Sequence, residues 1–360
     1  MDQPDPLSQI GDWPPYGWNR AEKTQRLLPA LNALTSWHRE HCPEYARVVD
    51  ALFAGGHATN FDQVPYLPVR LFKERDLVSV PQNAIVKTMT SSGTSGQQVS
   101  RIHLDRITAG LQVKVLSRIV GERIGQGRLP LLVIDTRATI SDATRFSARS
   151  GGVRGFSIFG RDTEFALDPD MSLNIDRVRA FMERHRGERV LLFGFTAIIW
   201  QHLVLPMRAR PGEIDLRGAI LIHGGGWKKL VEASVSDVVF KETLHATFGI
   251  ADCCDYYGMA EQTGSIYLEC ERGNLHASNW SEVFARDPIT FAPLGPGQSG
   301  LLQVISVLPH SYPGHSLLTE DVGTVLGVDD CSCGRCGTIF KVHGRLGKAE
   351  VRGCSDTYSG

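Results

Sequence analysis

Residues 90–96 read Thr90-Ser91-Ser92-Gly93-Thr94-Ser95-Gly96, an alternation of hydroxyl and glycine residues. The preceding residues are apolar enough to predict a strand over 83–92 that runs into this loop. Glycine removes side chains that would block a ligand, so the loop can offer backbone N–H groups and hydroxyls to a phosphate chain. A plain polar turn is the alternative, and no Gly-Lys-Ser/Thr sequence ends the loop as in a Walker motif.

The sequence on the carboxyl side of this loop alternates between helical and strand patterns. Apolar residues at helical spacing predict a helix over 105–124, and a continuous apolar run predicts a buried strand over 129–134. The same alternation continues to about residue 262, after which short strands dominate. We therefore predict an α/β fold with mixed sheets and flanking helices. The later predicted elements are helix 174–186, strand 190–193, helix 196–204, strand 219–222, helix 228–247 and short strands at 265–269, 301–305, 324–328 and 339–342.

Composition excludes several classes of function. The 360 residues carry 38 Lys and Arg against 39 Asp and Glu, a formal net charge of -1, which argues against a nucleic-acid partner. The amino terminus shows no secretory signal, and the longest uncharged run, residues 190–207, is too interrupted for a membrane span. We expect a cytoplasmic protein without structural disulfides, in which clustered thiols indicate metal binding or catalysis.

Three further motifs carry residues suited to nucleotide chemistry. Tyr257 can stack on a base, and Glu261, four residues later, can reach a divalent cation. Asp321 can accept hydrogen bonds from ribose hydroxyls, and Arg345 offers a planar fork to phosphate. Taken singly, such motifs are more often ordinary turns or solvated surface groups than nucleotide-binding sites.

In their order along the chain, the four motifs resemble the adenylate-forming superfamily, which includes acyl-CoA ligases and peptide-synthetase adenylation domains. Residues 223–227 lie where that family has a glycine loop for substrate and adenine. The resemblance implies ATP and Mg²⁺ as cofactors, with Glu261 near the metal. The ATP-binding residues that it implies are Ser91, Ser92, Gly93, Thr94, Ser95, Gly96, Gly224, Gly225, Gly226, Tyr257, Asp321 and Arg345.

The sequence departs from that superfamily in three places. The phosphate loop continues as Gly96-Gln97-Gln98-Val99 and lacks the usual lysine, and Thr-Gly-Asp is replaced by Thr319-Glu320-Asp321. The sequence ends 15 residues after Arg345, so the small C-terminal domain is expected to be absent. We expect a helical region at 1–84, an adenylate-forming core at 85–343 with a zinc knuckle at 328–342, and a hinge-like motif and tail at 344–360.

Within the superfamily, residues 193–196, 223–227 and 350–355 most resemble the LuxE-type acyl-protein synthetases. This resemblance implies ATP-dependent activation of a fatty or similar acid as acyl-AMP and transfer to a cysteine at the position of Cys354. A partner acyl reductase, and an acyltransferase subunit, would then act on the acyl group. The apolar stretch 193–205 is either a wall of the acyl pocket or a core helix.

Two other functions remain open from the sequence. The first is an aryl or alkyl acid adenylase or CoA ligase that delivers the adenylate to an external acceptor. The second is a non-catalytic, zinc-stabilised interaction subunit. Acid-dependent pyrophosphate exchange separates either enzyme from the interaction subunit.

A second group of cysteines indicates a structural zinc site. Cys331, Cys333 and Cys336 lie within six residues, and Cys270 and His276 flank another short turn. A tetrahedral zinc site needs four ligands, and the sequence offers five candidates. The sequence therefore does not decide which four of these residues bind zinc.

Overall fold

A computed structural model of the chain describes residues 9–90, 99–141, 148–227 and 234–345. It contains one twelve-stranded mixed sheet with flanking helices, and a separate two-stranded hairpin. The strands are β1 (Leu67–Pro68), β2 (Ile85–Thr90), β3 (Arg101–Asp105), β4 (Leu129–Thr136), β5 (Gly160–Leu167), β6 (Val190–Phe195), β7 (Ala219–Gly224), β8 (Asp252–Tyr257), β9 (Tyr267–Glu269), β10 (Leu275–His276), β11 (Ser281–Arg286), β12 (Ser299–Ser306), β13 (Ser316–Val328) and β14 (Thr338–Arg345).

The helices cover both faces and the ends of the sheet. They are α1 (Arg20–His41), α2 (Pro43–Leu52), α3 (Leu71–Glu74), α4 (Arg106–Ile124), α5 (Ala138–Ser141), α6 (Ala148–Ser157), α7 (Ile175–Arg184), α8 (Thr196–Ile199), α9 (Leu205–Met207) and α10 (Asp237–Phe248). A π-helical turn, Trp200–Val204, joins α8 to α9. No helix in these described ranges has the length and apolar character needed to cross a bilayer.

Half of the large sheet is parallel, in the order β5-β4-β6-β7-β8. Its central strands are continuous apolar runs because helices bury both of their faces. All five strands point the same way, so their carboxyl ends form a single edge, which is where ligands bind in open α/β sheets. The other half, β9 to β14, is antiparallel.

The N-terminal helix packs onto the antiparallel half of the sheet. Arg20 Nη1 lies 2.6 Å from Glu282 Oε2, and the buried Lys23 Nζ lies 3.3 Å from the same oxygen. The Trp280 indole donates to the carbonyl of Ile10 at 2.6 Å. These contacts join positions about 260 residues apart in sequence, so the N-terminal region contributes to the same core as the sheet.

The structure differs from the predicted elements at several places, and strands β1, β3, β8 and β10 are among the elements that the sequence patterns did not predict. Strands β5 and β11 were not predicted, because β5 is a half-polar edge strand and β11 buries the charged residues Glu282 and Arg286. The helix predicted over 228–247 begins at Asp237, where the Ser236 hydroxyl accepts from the Val239 N–H. Residues 228–233 lie outside the described residues.

Two buried histidines, His38 and His315, stack with ring centroids 5.0 Å apart. His38 donates through Nε2 to the Pro309 carbonyl (3.2 Å), and its Nδ1 lies 2.8 Å from the Ser79 hydroxyl. Burial lowers the pKa of His315 to about 3 and holds the pKa of His38 well below its usual range. Both rings are therefore neutral in the folded protein.

This pair predicts acid sensitivity of the fold. Below about pH 6.5 the unfolded chain protonates both rings while the folded chain does not, so the free energy of unfolding decreases as the pH falls. We expect His315→Gln to reduce the slope of the unfolding free energy between pH 6 and pH 5 by about 1 kcal/mol per pH unit, whatever its overall stability. Urea unfolding at several pH values measures the slope. Equal slopes in the two proteins would contradict the prediction.

Candidate active site

Three of the predicted segments lie at the carboxyl ends of neighbouring parallel strands, at one edge of the sheet. Phe195 ends β6, Gly224 ends β7 and Tyr257 ends β8. The parallel register aligns Phe195 with Gly224, and Gly224 with Tyr256. The structure therefore brings the 193–196 stretch, the glycine loop and the tyrosine motif together at this edge.

The glycine loop is pressed between two aromatic rings. A Cβ atom on Gly224 would lie 2.5 Å from Cε1 of Tyr256, and one on Gly225 would lie 3.1 Å from the Phe195 ring. Gly225 also has φ +76°, which favours glycine. This close approach requires glycine at positions 224 and 225. Tyr256, whose ring packs against Gly224, is a residue of the site that the sequence analysis did not identify.

His223, just before the loop, is held inside the protein. Its Nδ1 lies 2.9 Å from the Thr196 hydroxyl and 3.6 Å from an Asp255 carboxylate oxygen. Burial lowers the pKa of His223 to about 3, so the ring is neutral. His223 therefore joins the ends of β6 and β7 as an uncharged hydrogen-bonding group.

Tyr257, Asp321 and Arg345 come together although 88 residues separate the first from the last. The Tyr257 hydroxyl donates to Asp321 Oδ2 at 2.7 Å, and Arg345 Nε donates to Asp321 Oδ1 at 3.2 Å. Asp321 and Arg345 are register partners on β13 and β14. The Tyr257 ring also packs against Tyr267 and Phe340, with centroids 6.0 and 6.1 Å away. Three of the predicted nucleotide-binding residues thus form one hydrogen-bonded cluster.

Glu261 lies in a short 3₁₀ turn, Ala260–Gln262, and only 6% of the residue is exposed. Burial raises the pKa of its carboxyl, against a hydrogen bond from the Ser100 hydroxyl. The Tyr312 hydroxyl donates to the Glu261 carbonyl at 2.9 Å and fixes the turn. Within the described ranges, Glu261 has no partner at ion-pair distance, and the charges of Lys73 and Arg345 lower its pKa by less than burial raises it.

The predicted phosphate loop, Ser91–Gly96, lies outside the described residues, as does Cys354. The strands on either side of the loop are described. They pair as an antiparallel hairpin, with Thr90 opposite Arg101. Ser100, which donates to Glu261, immediately precedes that pair. The loop's flanks therefore lie at the same site as Glu261.

A small cavity of about 200 Å³ opens at the carboxyl edge of the sheet. Phe195, Ala197, Ile198, Gly226 and Arg149 line it. The next residues of the same segment, such as Ile199 and Leu203, are buried in the core. The later residues of the 193–205 stretch are therefore part of the core, and its first residues line a cavity whose role as an acyl pocket stays a prediction.

Four of the five candidate zinc ligands converge. The ligand atoms of Cys270, His276, Cys331 and Cys333 all lie within 4.8 Å of one another. Cys270 Sγ is 3.9 Å from Cys331 Sγ, and Cys333 Sγ is 3.4 Å from His276 Nε2. Cys336, the fifth candidate, is not in this group. The sequence could not make this choice, because it depends on how the turn after β13 folds.

The turns that carry these cysteines also direct hydrogen-bond donors at the sulfur atoms. Backbone N–H groups of Arg272 and Arg335 each donate to a cysteine sulfur two residues earlier, at 3.4 Å. Burial raises the pKa of Cys331, but hydrogen bonds from Cys333 and Asn274 outweigh it, so the net pKa lies below its usual value. Burial and the neighbouring cysteines raise the pKa of Cys333 to about 11. Three sulfurs and one imidazole at this spacing are the donor set of a closed tetrahedral zinc site.

Two curated proteins are similar over almost the whole chain. A long-chain-fatty-acid–luciferin-component ligase of Vibrio harveyi is 23% identical over 95% of this chain and 89% of that protein. The protein of the same description from Aliivibrio fischeri is 22% identical over 95% of this chain and 90% of its own length.

Crystal structures of 2-hydroxyisobutyryl-CoA ligase share the fold. An open conformation with 2-HIB-AMP and CoA superposes with a TM-score of 0.67 at 18% identity, covering 92% of this chain and 76% of that chain. A postadenylation state gives a TM-score of 0.68 at 18% identity, covering 92% and 69%. The likeness confirms the predicted adenylate-forming α/β fold.

The family model described as "Acyl-protein synthetase, LuxE" matches residues 9–360. The match spans the sheet, the aromatic-walled glycine loop, the Tyr257 cluster and the converging cysteines described above. It confirms the ligase class predicted from the order of the motifs. The chain belongs to the LuxE family of acyl-protein synthetases.

Proposed function

We propose that this enzyme activates a long-chain carboxylic acid with ATP as acyl-AMP and transfers the acyl group to its own Cys354. The observation that carries the proposal is the convergence of Glu261, the glycine loop and the Tyr257–Asp321–Arg345 cluster at the carboxyl edge of the parallel sheet. Family membership supports the acid as substrate.

The reaction has two steps. A carboxylate oxygen of the acid attacks the α-phosphorus of ATP, the bond to the β-phosphate oxygen breaks, and pyrophosphate leaves. The Cys354 thiolate then attacks the acyl carbon, a carbon–sulfur bond forms, and AMP leaves. The first step brings one anion to another, so it needs groups that neutralise charge.

The residues present fit these needs. Asp321 would accept hydrogen bonds from the ribose, and Tyr257 would pack near the adenine beside Gly224–Gly226. Glu261 would hold Mg²⁺, which neutralises phosphate charge when bound. The buried carboxyl of Glu261 supports this role, because a nearby cation would stabilise its ionised form. Arg345 is largely exposed and uses Nε for its contact with Asp321, so its terminal nitrogens would contact ribose or phosphate.

The resulting thioester would be the substrate of a partner acyl reductase. A thioester carbonyl is more easily reduced than the original carboxylate, because the thiolate is a better leaving group. An acyltransferase subunit would be a second partner of the assembly, as the family resemblance implies.

The proposal is tested by pyrophosphate exchange and intact mass. With ATP, Mg²⁺ and a panel of fatty acids, we expect acid-dependent exchange and a chain that gains the mass of one acyl group. Exchange without an acyl-protein would favour an external acceptor such as CoA. No exchange with any acid would favour the non-catalytic interaction subunit.

We also propose that Cys270, His276, Cys331 and Cys333 bind a structural zinc ion. Protein purified without added metal is expected to contain about one zinc per chain by elemental analysis. Cys331→Ser should lose most of the zinc and lower the melting temperature, because metal binding contributes directly to folding.

Cys336→Ser is the matched control for the zinc site. It removes a thiol from the same turn but none of the four converging ligands, so zinc content and melting temperature should stay at wild-type values. Equal zinc loss in the two variants would contradict the ligand assignment. A zinc content far below one equivalent in the wild-type protein would contradict the proposed zinc site.

A further inference from the structure

Arg149 of α6 lines the cavity at the sheet edge and forms an ion pair with Asp135. Its Nε donates to Asp135 Oδ2 at 2.7 Å, and its Nη2 donates to Asp135 Oδ1. Asp135 is wholly buried at the carboxyl end of β4. Its Oδ1 also accepts from the Thr136 N–H and the Thr139 hydroxyl, both at 2.6 Å. Thr136 and Thr139 therefore hold the Asp135 carboxylate in position, and this carboxylate in turn positions the Arg149 guanidinium.

This arrangement leaves part of the guanidinium available. The contacts with Asp135 use Nε and Nη2, and Nη2 also lies 3.3 Å from Met171 Sδ. Among the described residues, Nη1 makes no hydrogen bond, and a third of the side chain is exposed. A pre-organised cation with a spare donor is suited to binding an anion.

The other walls of the cavity define what kind of anion fits. Phe195, Ala197 and Ile198 are apolar, and Gly226 presents backbone. Arg149 is the charged residue in this lining. A cleft with apolar walls and one cation matches an amphiphile whose polar end is a carboxylate. Fold stability alone does not explain the pair, because buried salt bridges contribute little to it.

We propose that Arg149 binds the carboxylate of the acid substrate and thereby selects carboxylic acids over neutral chains of the same length. This inference rests on the proposed function, since it concerns the acid that is activated. Binding by Arg149 would also offset the repulsion between the carboxylate and the α-phosphate of ATP.

The test compares tetradecanoate with tetradecan-1-ol in the absence of ATP, with binding followed by tryptophan fluorescence. The wild-type protein should bind the acid more tightly than the alcohol. Arg149→Met should weaken acid binding about 10- to 100-fold and leave alcohol binding unchanged, because a charged hydrogen bond is lost. Arg154→Met, an exposed arginine on the same helix, should match the wild type.

Removing Arg149 alone leaves the Asp135 carboxylate buried without its partner, and this can impair folding. The double variant Asp135→Asn with Arg149→Met removes both charges and keeps an oxygen for Thr136 and Thr139. It should fold and show the same loss of acid preference. Unchanged preference in either folded variant, or no wild-type preference for the acid, would overturn the inference.

Pyrophosphate exchange separates this inference from the proposed function. In Arg149→Met, KM for the acid should rise about 10- to 100-fold while KM for ATP stays constant. A rise confined to KM for ATP would assign Arg149 to phosphate and overturn the inference while the function stands. Acid-selective binding that depends on Arg149, with no exchange in any protein, would overturn the function while the inference stands.

Discussion

Cys354→Ser is expected to abolish the acyl-protein while acyl-AMP still forms at close to the wild-type rate. In the proposed reaction, activation would use residues of the core, whereas the thioester would need the thiol at residue 354. Serine keeps the shape of cysteine, but its hydroxyl ionises far less readily and is a much weaker nucleophile without a base. The measurements are acid-dependent pyrophosphate exchange and the hydroxylamine-labile acyl mass on the peptide that contains residue 354.

Cys336→Ser is the control for this experiment. It removes another thiol, and the variant should carry a normal acyl group. A wild-type peptide around Cys354 without acyl mass, under conditions of rapid exchange, would contradict self-acylation. The adenylate would then be delivered to an outside acceptor.

Glu261→Gln is expected to lower acid-dependent pyrophosphate exchange about 100-fold or more, because loss of the charged ligand proposed for Mg²⁺ would remove several kcal/mol of charge stabilisation near the phosphates. Its effect on the melting temperature should be neutral or favourable. Burial raises the pKa of Glu261, so the folded protein disfavours the ionised carboxylate, and a neutral amide relieves that cost.

Glu242→Gln is the matched control, because Glu242 is an exposed carboxylate on α10 and is not one of the residues proposed for the site. This variant should match the wild type in both exchange and melting temperature. Exchange near the wild-type level in Glu261→Gln would contradict a role of Glu261 in acid activation. A large fall in melting temperature would instead indicate a structural role.

Much of the fold and part of the site could be predicted from the sequence, because those parts are encoded locally. Apolar runs marked the buried parallel strands, and strands of one direction must end at one edge. The glycine loop at Gly224 could therefore be placed at that edge. Tyr257 could not be placed there in this way, because β8, with its mixed polar and apolar residues, was not predicted as a strand. Asp321 and Arg345 could be assigned only by resemblance, since their pairing depends on the register of β13 and β14.

Other parts of the site depend on long-range geometry that leaves no local pattern. Strand β11 was missed because its buried Glu282 is neutralised by Arg20 and Lys23 from the other end of the chain. Arg149 was missed because only the folded structure shows that Asp135 fixes its side chain at the cavity. In the sequence, a single arginine in a helix and a single aspartate near the end of a strand do not indicate a binding site.

The distance in sequence between α1 and Glu282 has a consequence for synthesis of the chain. Arg20 leaves the ribosome 262 residues before its partner. At ordinary rates of elongation this interval is on the order of tens of seconds. During that time Lys23 has no carboxylate to accompany it into the core, and the apolar side of α1 has no sheet to cover it. Nascent chains of this enzyme are therefore expected to need a chaperone until translation is nearly finished.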